Sequence, residues 1–120
     1  MQFISQPRTV IVDTKGDDRS GSGLLTLPYK TIYRALEMTL PGDIIQLRSG
    51  TYSGGFTISR PSITLRSYPG EWAVIASPII EPSTSVVVWI DTFADNTRIQ
   101  QLEIVGGYYY GIMLKTTWEW

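Results

Sequence analysis

The sequence predicts a mainly β chain that coils in repeated turns and is entered through one short amphipathic helix. Three observations carry that expectation. From Asp43 onward, short apolar runs are separated by turn residues. Two pairs of those runs look like corresponding strands of successive turns, which favours a coil over a sandwich. Ahead of Asp43, a single segment carries its apolar residues at helical spacing.

Thr9-Val10-Ile11-Val12-Asp13 is a β-branched run and reads as a strand, because branched side chains suit a pleated, half-buried surface. Residues 14–23 hold Asp17, Asp18, Ser20, Ser22 and glycines with hardly an apolar side chain, so a surface loop follows. Ile32, Ala35, Leu36, Thr39 and Leu40 then recur at helical spacing behind Thr31, an N-cap residue type, and Pro41-Gly42 stops the segment. A helix over Thr31 to Leu40 would close the N-terminal mouth of the coil.

Strands are expected over 43–48, 56–59, 62–67, 73–76, 86–91, 98–104 and 110–116. Ile63 and Leu65 alternate with Thr64 and Arg66, the period of two of a strand with one buried face. In Ile99-Gln100-Gln101-Leu102-Glu103-Ile104 the apolar phase slips by one, which marks a corner. Ser62–Ser67 matches Thr97–Leu102, and Val88-Trp89-Ile90 matches Gly111-Ile112-Met113-Leu114. The first match requires an insertion near Ser77 to Ser85. About three turns result: Asp43 to Pro61, Ser62 to Asn96, and Thr97 to the end. The chain is expected to be one domain, with 1–42 as strand, loop and cap helix and 43–120 as the turns.

Bulk properties exclude several function classes. At 120 residues a single core is feasible, burying roughly two thirds of the unfolded chain's surface. Ten Lys and Arg balance 11 Asp and Glu, with no run of like charge, so the electrostatic footprint of a nucleic-acid binder is missing. The chain has no cysteine and no histidine, which removes disulfides and imidazole chemistry. No apolar stretch approaches the roughly 20 residues of a membrane-spanning helix, so no membrane partner is expected. Met1 to Val12 lacks the features of an export signal, which makes the cytoplasm the default location, although a mature secreted form would look the same.

Gly16-Asp17-Asp18, Gly21-Ser22-Gly23, Pro28-Tyr29-Lys30-Thr31-Ile32, the helix, Pro41-Gly42-Asp43 and an apolar strand closed by Gly50-Thr51-Tyr52 form an ordered set. In that order they resemble the N-terminal part of the right-handed parallel β-helix proteins of the pectin-lyase-like superfamily. The resemblance covers about Val10 to Tyr68 and is only general beyond it. It implies a short right-handed parallel β-helix with an N-terminal capping α-helix. It also implies a carbohydrate connection, since that superfamily consists mostly of polysaccharide lyases, glycoside hydrolases and epimerases, and its members are often extracellular. In such proteins the opening segment is architecture. The asparagine ladder of many β-helices is impossible here, because Asn96 is the only asparagine.

Candidate site residues each have a bland competitor. Asp13, Asp17 and Asp18 would suit calcium by ligand type, but their spacing is not that of an EF-hand, and turn formation is favoured; no cofactor is expected. Arg48, Arg66, Arg98 and Lys115 lie on strands or strand ends, with Arg66 and Arg98 at comparable places in matched turns. Stacked on one face they would hold an acidic sugar chain; unstacked they are ordinary solvent-facing charges. Asp91 and Asp95 are the close carboxylate pair that a hydrolase would need, yet they fall at a turn. Tyr108 and Tyr109, in a run with Tyr110, supply faces for sugar stacking, with alternation expected to turn at least one ring of the run inward. Nothing after Gly111 resembles a cap, so Ile112, Leu114, Trp118 and Trp120 are expected at an interface with another copy.

Two functions are therefore expected in order. The first is a non-catalytic, self-associating β-helix module, a truncated relative of polysaccharide-active enzymes. The alternative is a carbohydrate-active fragment that binds or cleaves an acidic polysaccharide through Arg66, Arg98, Tyr108 and Tyr109. Catalytic residues cannot be assigned, because no recognisable triad is present.

Overall fold

The computed structural model describes residues 7–77 and 86–114. Strand β1 (Thr9–Val12) leads through a loop to helix α1 (Ile32–Met38). Nine strands follow: β2 (Ile44–Leu47), β3 (Gly50–Ser53), β4 (Phe56–Ile58), β5 (Thr64–Ser67), β6 (Ala73–Ser77), β7 (Val86–Ile90), β8 (Arg98–Gln100), β9 (Glu103–Gly106) and β10 (Tyr110–Leu114). They form three sheets with the orders β1-β2-β5-β8, β3-β6-β9 and β4-β7-β10, and every pairing is parallel. The chain visits the three sheets in rotation, so each passage through them adds one strand to each.

Register aligns the apolar positions into columns that run across the sheets. Val10, Ile45, Leu65 and Ile99 are consecutive partners in the first sheet. Tyr52, Ile75 and Ile104 are partners in the second, and Phe56, Val88 and Ile112 in the third. Because side chains alternate along a strand, partners in register share a face, and these columns meet in one core. Ile45, Leu65 and Ile75 have no exposed surface.

Helix α1 starts where Thr31 accepts a hydrogen bond from the Arg34 N–H at 3.1 Å. It ends at Met38, short of the expected Leu40, because Thr39 turns extended and its hydroxyl donates back to the Leu36 carbonyl. Ile32 and Ala35 are buried, Leu36 is partly buried, and Leu40 stands 56% exposed, a correction to its expected place on the apolar face. The helix packs against β1 and β4, the first strands of their sheets.

The loop before the helix closes the outer edge of β1. Ile11 N–H donates to the Gly23 carbonyl, Tyr29 N–H donates to the Ile11 carbonyl, and Asp13 N–H donates to the Tyr29 carbonyl. Asp18 ties this loop to the helix start by accepting the Lys30 and Thr31 N–H groups and the Thr31 hydroxyl. Burial pushes its carboxyl up, but those hydrogen bonds outweigh it and hold the group below the usual carboxylate value.

Corners between sheets depend on single residues. Gln101, at φ 51°, separates β8 from β9 where the apolar phase slips, as expected. The expected strand over 43–48 is β2, but a further strand, β3, begins at Gly50. Ser67, buried in the core, accepts the Ala73 N–H at 2.9 Å and so satisfies the corner into β6. The insertion expected near Ser77 to Ser85 falls beyond Ser77 outside the described residues.

Candidate functional site

The columns of the core do not end in buried residues at both ends. At the β1 end, the loop occupies the strand edge. At the other end β8, β9 and β10 are the outermost strands of their sheets among the described residues. Their inward positions extend the core but are open. Ile99 and Ile104 are only partly buried, Ile112 is 43% exposed and Leu114 is 64% exposed. By contrast Val88 and Ile58, in the same two columns as Ile112 and Leu114, have no exposed surface.

An open cross-section of this kind combines two unsatisfied demands. Apolar side chains face water, and edge strands present unpaired backbone donors and acceptors beside them. Such a surface accepts a further strand from another chain or another part of a chain. Of the expected interface residues, Ile112 and Leu114 lie on it; Trp118 and Trp120 lie outside the described residues.

The residues expected to hold an acidic sugar are not brought together. Arg66 pairs in register with Gln100, and it is Thr64 that pairs with Arg98, so the two arginines are offset and do not stack as partners. Arg66 instead donates to the Gln101 side chain. Arg48 forms an ion pair with Glu71 at 2.8 Å and lies 4.7 Å over the Tyr68 ring, and Lys115 lies outside the described residues. Tyr108 and Tyr109 sit at the corner between β9 and β10, away from the sheet that carries Arg66 and Arg98. Their rings meet edge to face at 4.8 Å. All three tyrosines of the run are exposed, yet Tyr110 pairs in register with buried Val86 and shares the face of Ile112 and Leu114, so it takes an inward position at the open end. Gly106 and Gly107, at φ 93° and 85°, make a corner that holds Tyr108 and Tyr109, and Tyr110 opens β10.

Several carboxylates are engaged in backbone and arginine contacts. Asp17 accepts the Arg19 and Ser20 N–H groups, which lower its pKa, and Asp91 accepts the Thr92 N–H and hydroxyl within a turn. Asp95 lies in the same turn region and offers its carbonyl to Ser62 N–H. The Arg48 guanidinium and the Ser49 N–H hold Glu71 below the usual carboxylate value. Among the described residues no group of three or more acidic side chains is gathered as a metal would require.

Sequence reasoning missed the Arg48–Glu71 pair and the Arg8–Asp43 pair, since neither partner is near the other in the chain. Asp43 accepts Arg8 at 2.7 Å and the Leu40 N–H at 2.8 Å, which fixes the Pro41-Gly42 turn into β2. The chain matches no family model, no curated protein and no solved structure at a significant level.

Proposed function

We propose that this protein is a non-catalytic, self-associating module built as a short right-handed parallel β-helix, in which the last turn is covered by a second copy. The observation that carries the reading is the exposure of Ile112 in a column whose earlier members, Phe56 and Val88, are buried, with Leu114 exposed beyond a partly buried Ile90 and a buried Ile58. The all-parallel sheets visited in rotation fit the β-helix, as does the sequence resemblance to pectin-lyase-like proteins.

The contrast between the two ends gives the association a direction. Gly23 and Tyr29 already occupy the hydrogen-bonding edge of β1, so β8 of a second copy cannot continue that sheet. That favours tail-to-tail contact, in which a two-fold axis across the coil would bring one edge strand against its own copy, antiparallel. Such a contact stops at two chains and cannot propagate into a fibre.

Asp91 is committed to its own turn by the Thr92 N–H and hydroxyl, which favours the non-catalytic reading. The alternative, an acidic-polysaccharide module, has less support because Arg66 and Arg98 are separated from Tyr108 and Tyr109.

The test is the association state of two charge variants. Leu114→Asp on the open end should yield monomer, whereas Leu40→Asp at the β1 end, also an exposed leucine, should leave the dimer intact. Loss of association in Leu40→Asp alone would place the interface at the other end and reject the tail-to-tail reading.

A further inference from the structure

A groove of about 390 Å³ lies between α1 and β4, at the edge of the third sheet opposite β10. It falls low in the size range of small-molecule sites, roughly 300–1,000 Å³, and so suits a ligand of one ring with a short arm. Its apolar wall is made by Tyr33, Leu36 and Phe56. Phe56 is buried and meets Tyr33 edge to face, with ring centroids 6.0 Å apart, while the Tyr33 hydroxyl donates to the Gly54 carbonyl. The Tyr33 ring is thus held in place yet stays 44% exposed. A face ordered before a ligand arrives costs little to order on binding. The polar groups of the groove are unequally engaged. Glu37 pairs with Arg34 at 3.7 Å, and the Thr39 hydroxyl donates to the Leu36 carbonyl. Arg60 has no carboxylate partner among the described residues. Its Nη1 donates to the Leu36 carbonyl, which steadies the guanidinium and leaves the Nε and Nη2 donors open. That is the edge through which Arg8 holds the Asp43 carboxylate in this same chain.

We propose that this groove binds a small aromatic monocarboxylate, its ring against Tyr33 and Leu36 and its carboxylate on the open edge of Arg60. The planar guanidinium offers two parallel N–H groups there, the fork that a carboxylate takes with both oxygens. One unpaired cation beside one exposed ring selects one negative charge joined to one ring. A neutral ring leaves the guanidinium unused, and a cationic one is repelled by it. A phosphate monoester brings a second charge near neutral pH, for which the groove holds no second unpaired cation, since Arg34 is already paired. Aromatic rings gain from offset or edge contacts with Tyr33 beyond the area they bury, which a saturated ring does not. The site is separate from the association at β10, and its failure would leave that reading untouched.

The experiment titrates the full chain with benzoate, phenylacetate, cyclohexylacetate, benzyl alcohol, benzylamine, phenyl phosphate and acetate, following amide shifts and the Arg60 Nε–H resonance. Phenylacetate or benzoate is expected to saturate with a Kd on the order of 1 mM, shifting Tyr33, Phe56 and Arg60. Benzyl alcohol, benzylamine and acetate should bind at least about tenfold more weakly, and cyclohexylacetate about threefold. Arg60→Gln should weaken phenylacetate about tenfold, and Arg60→Lys should restore only part of that, because an ammonium lacks the fork. Circular dichroism checks that both variants fold, and the ligand series on the unaltered chain stands as a test if either does not. The proposal is overturned if neither arylcarboxylate saturates, if the alcohol, the amine, acetate or the saturated acid binds as tightly, if phenyl phosphate binds more tightly, or if a folded Arg60→Gln keeps its affinity.

Discussion

Ile112 pairs in register with Val88 and shares its face of the sheet, yet Val88 has no exposed surface and Ile112 is 43% exposed. The same side-chain position is core in one turn and surface in the next. Val88→Ala should therefore cost on the order of 2 kcal/mol at any protein concentration. Ile112→Ser should cost within about 0.5 kcal/mol in dilute protein, as exposed positions do. At high concentration, where a dimer forms, its cost should rise, because association stabilises by mass action. Urea denaturation at two protein concentrations separates the two behaviours.

The helix tests the other end. Ile32 is 1% exposed, and Ile32→Ala should destabilise by about 2–5 kcal/mol. Leu40→Ala, at a position 56% exposed, should change stability by no more than about 0.5 kcal/mol. Equal effects in thermal melts would mean that α1 does not close the core.

Acid stability should depend on Asp43. Burial raises its pKa, but the hydrogen bonds from Arg8 and from the Leu40 N–H outweigh burial and leave it below the usual value. A carboxyl with a depressed folded pKa contributes stability above its unfolded value, near about 4, and loses it as pH falls through the folded value. Asp43→Asn should lower stability at neutral pH by about 1–3 kcal/mol and flatten the decline below about pH 4. Part of the decline should persist, since Asp17, Asp18 and Glu71 are depressed as well. Urea midpoints across the acid range measure this.

Two glycines at the same backbone angle should respond differently to alanine. Gly42 and Gly106 both have φ 93°, but a Cβ at Gly42 meets nothing within 4 Å, whereas at Gly106 it would lie 1.9 Å from the Ser77 carbonyl oxygen. Gly42→Ala should cost about 1–2 kcal/mol of left-handed strain alone. Gly106→Ala should cost at least about 3 kcal/mol or prevent folding, because the β6–β9 edge must part. Calorimetric melts compare them directly.

Much of the fold was legible because local chemistry and global position agree. Thr31 before an amphipathic run announced the helix start, and the slip between Ile99 and Leu102 announced the corner at Gln101. The match of Val88-Trp89-Ile90 to Ile112-Met113-Leu114 reproduced the observed register. What failed depended on tertiary geometry. The match of Ser62–Ser67 to Thr97–Leu102 is one residue out of register, since Thr64 is the partner of Arg98 and Leu65 of Ile99, so Arg66 and Arg98 are not partners. Tyr108 and Tyr109 escaped strand alternation because two left-handed glycines set them in a corner. The groove between α1 and β4 joins helix residues to residues some twenty positions later, and no spacing in the sequence points to it.

The most direct test of the central claim is sedimentation equilibrium of the whole chain at micromolar concentration. Tail-to-tail closure predicts a single monomer–dimer equilibrium with no larger species, shifted to monomer by Leu114→Asp. A monomer at every concentration, or a series of growing oligomers, would contradict it.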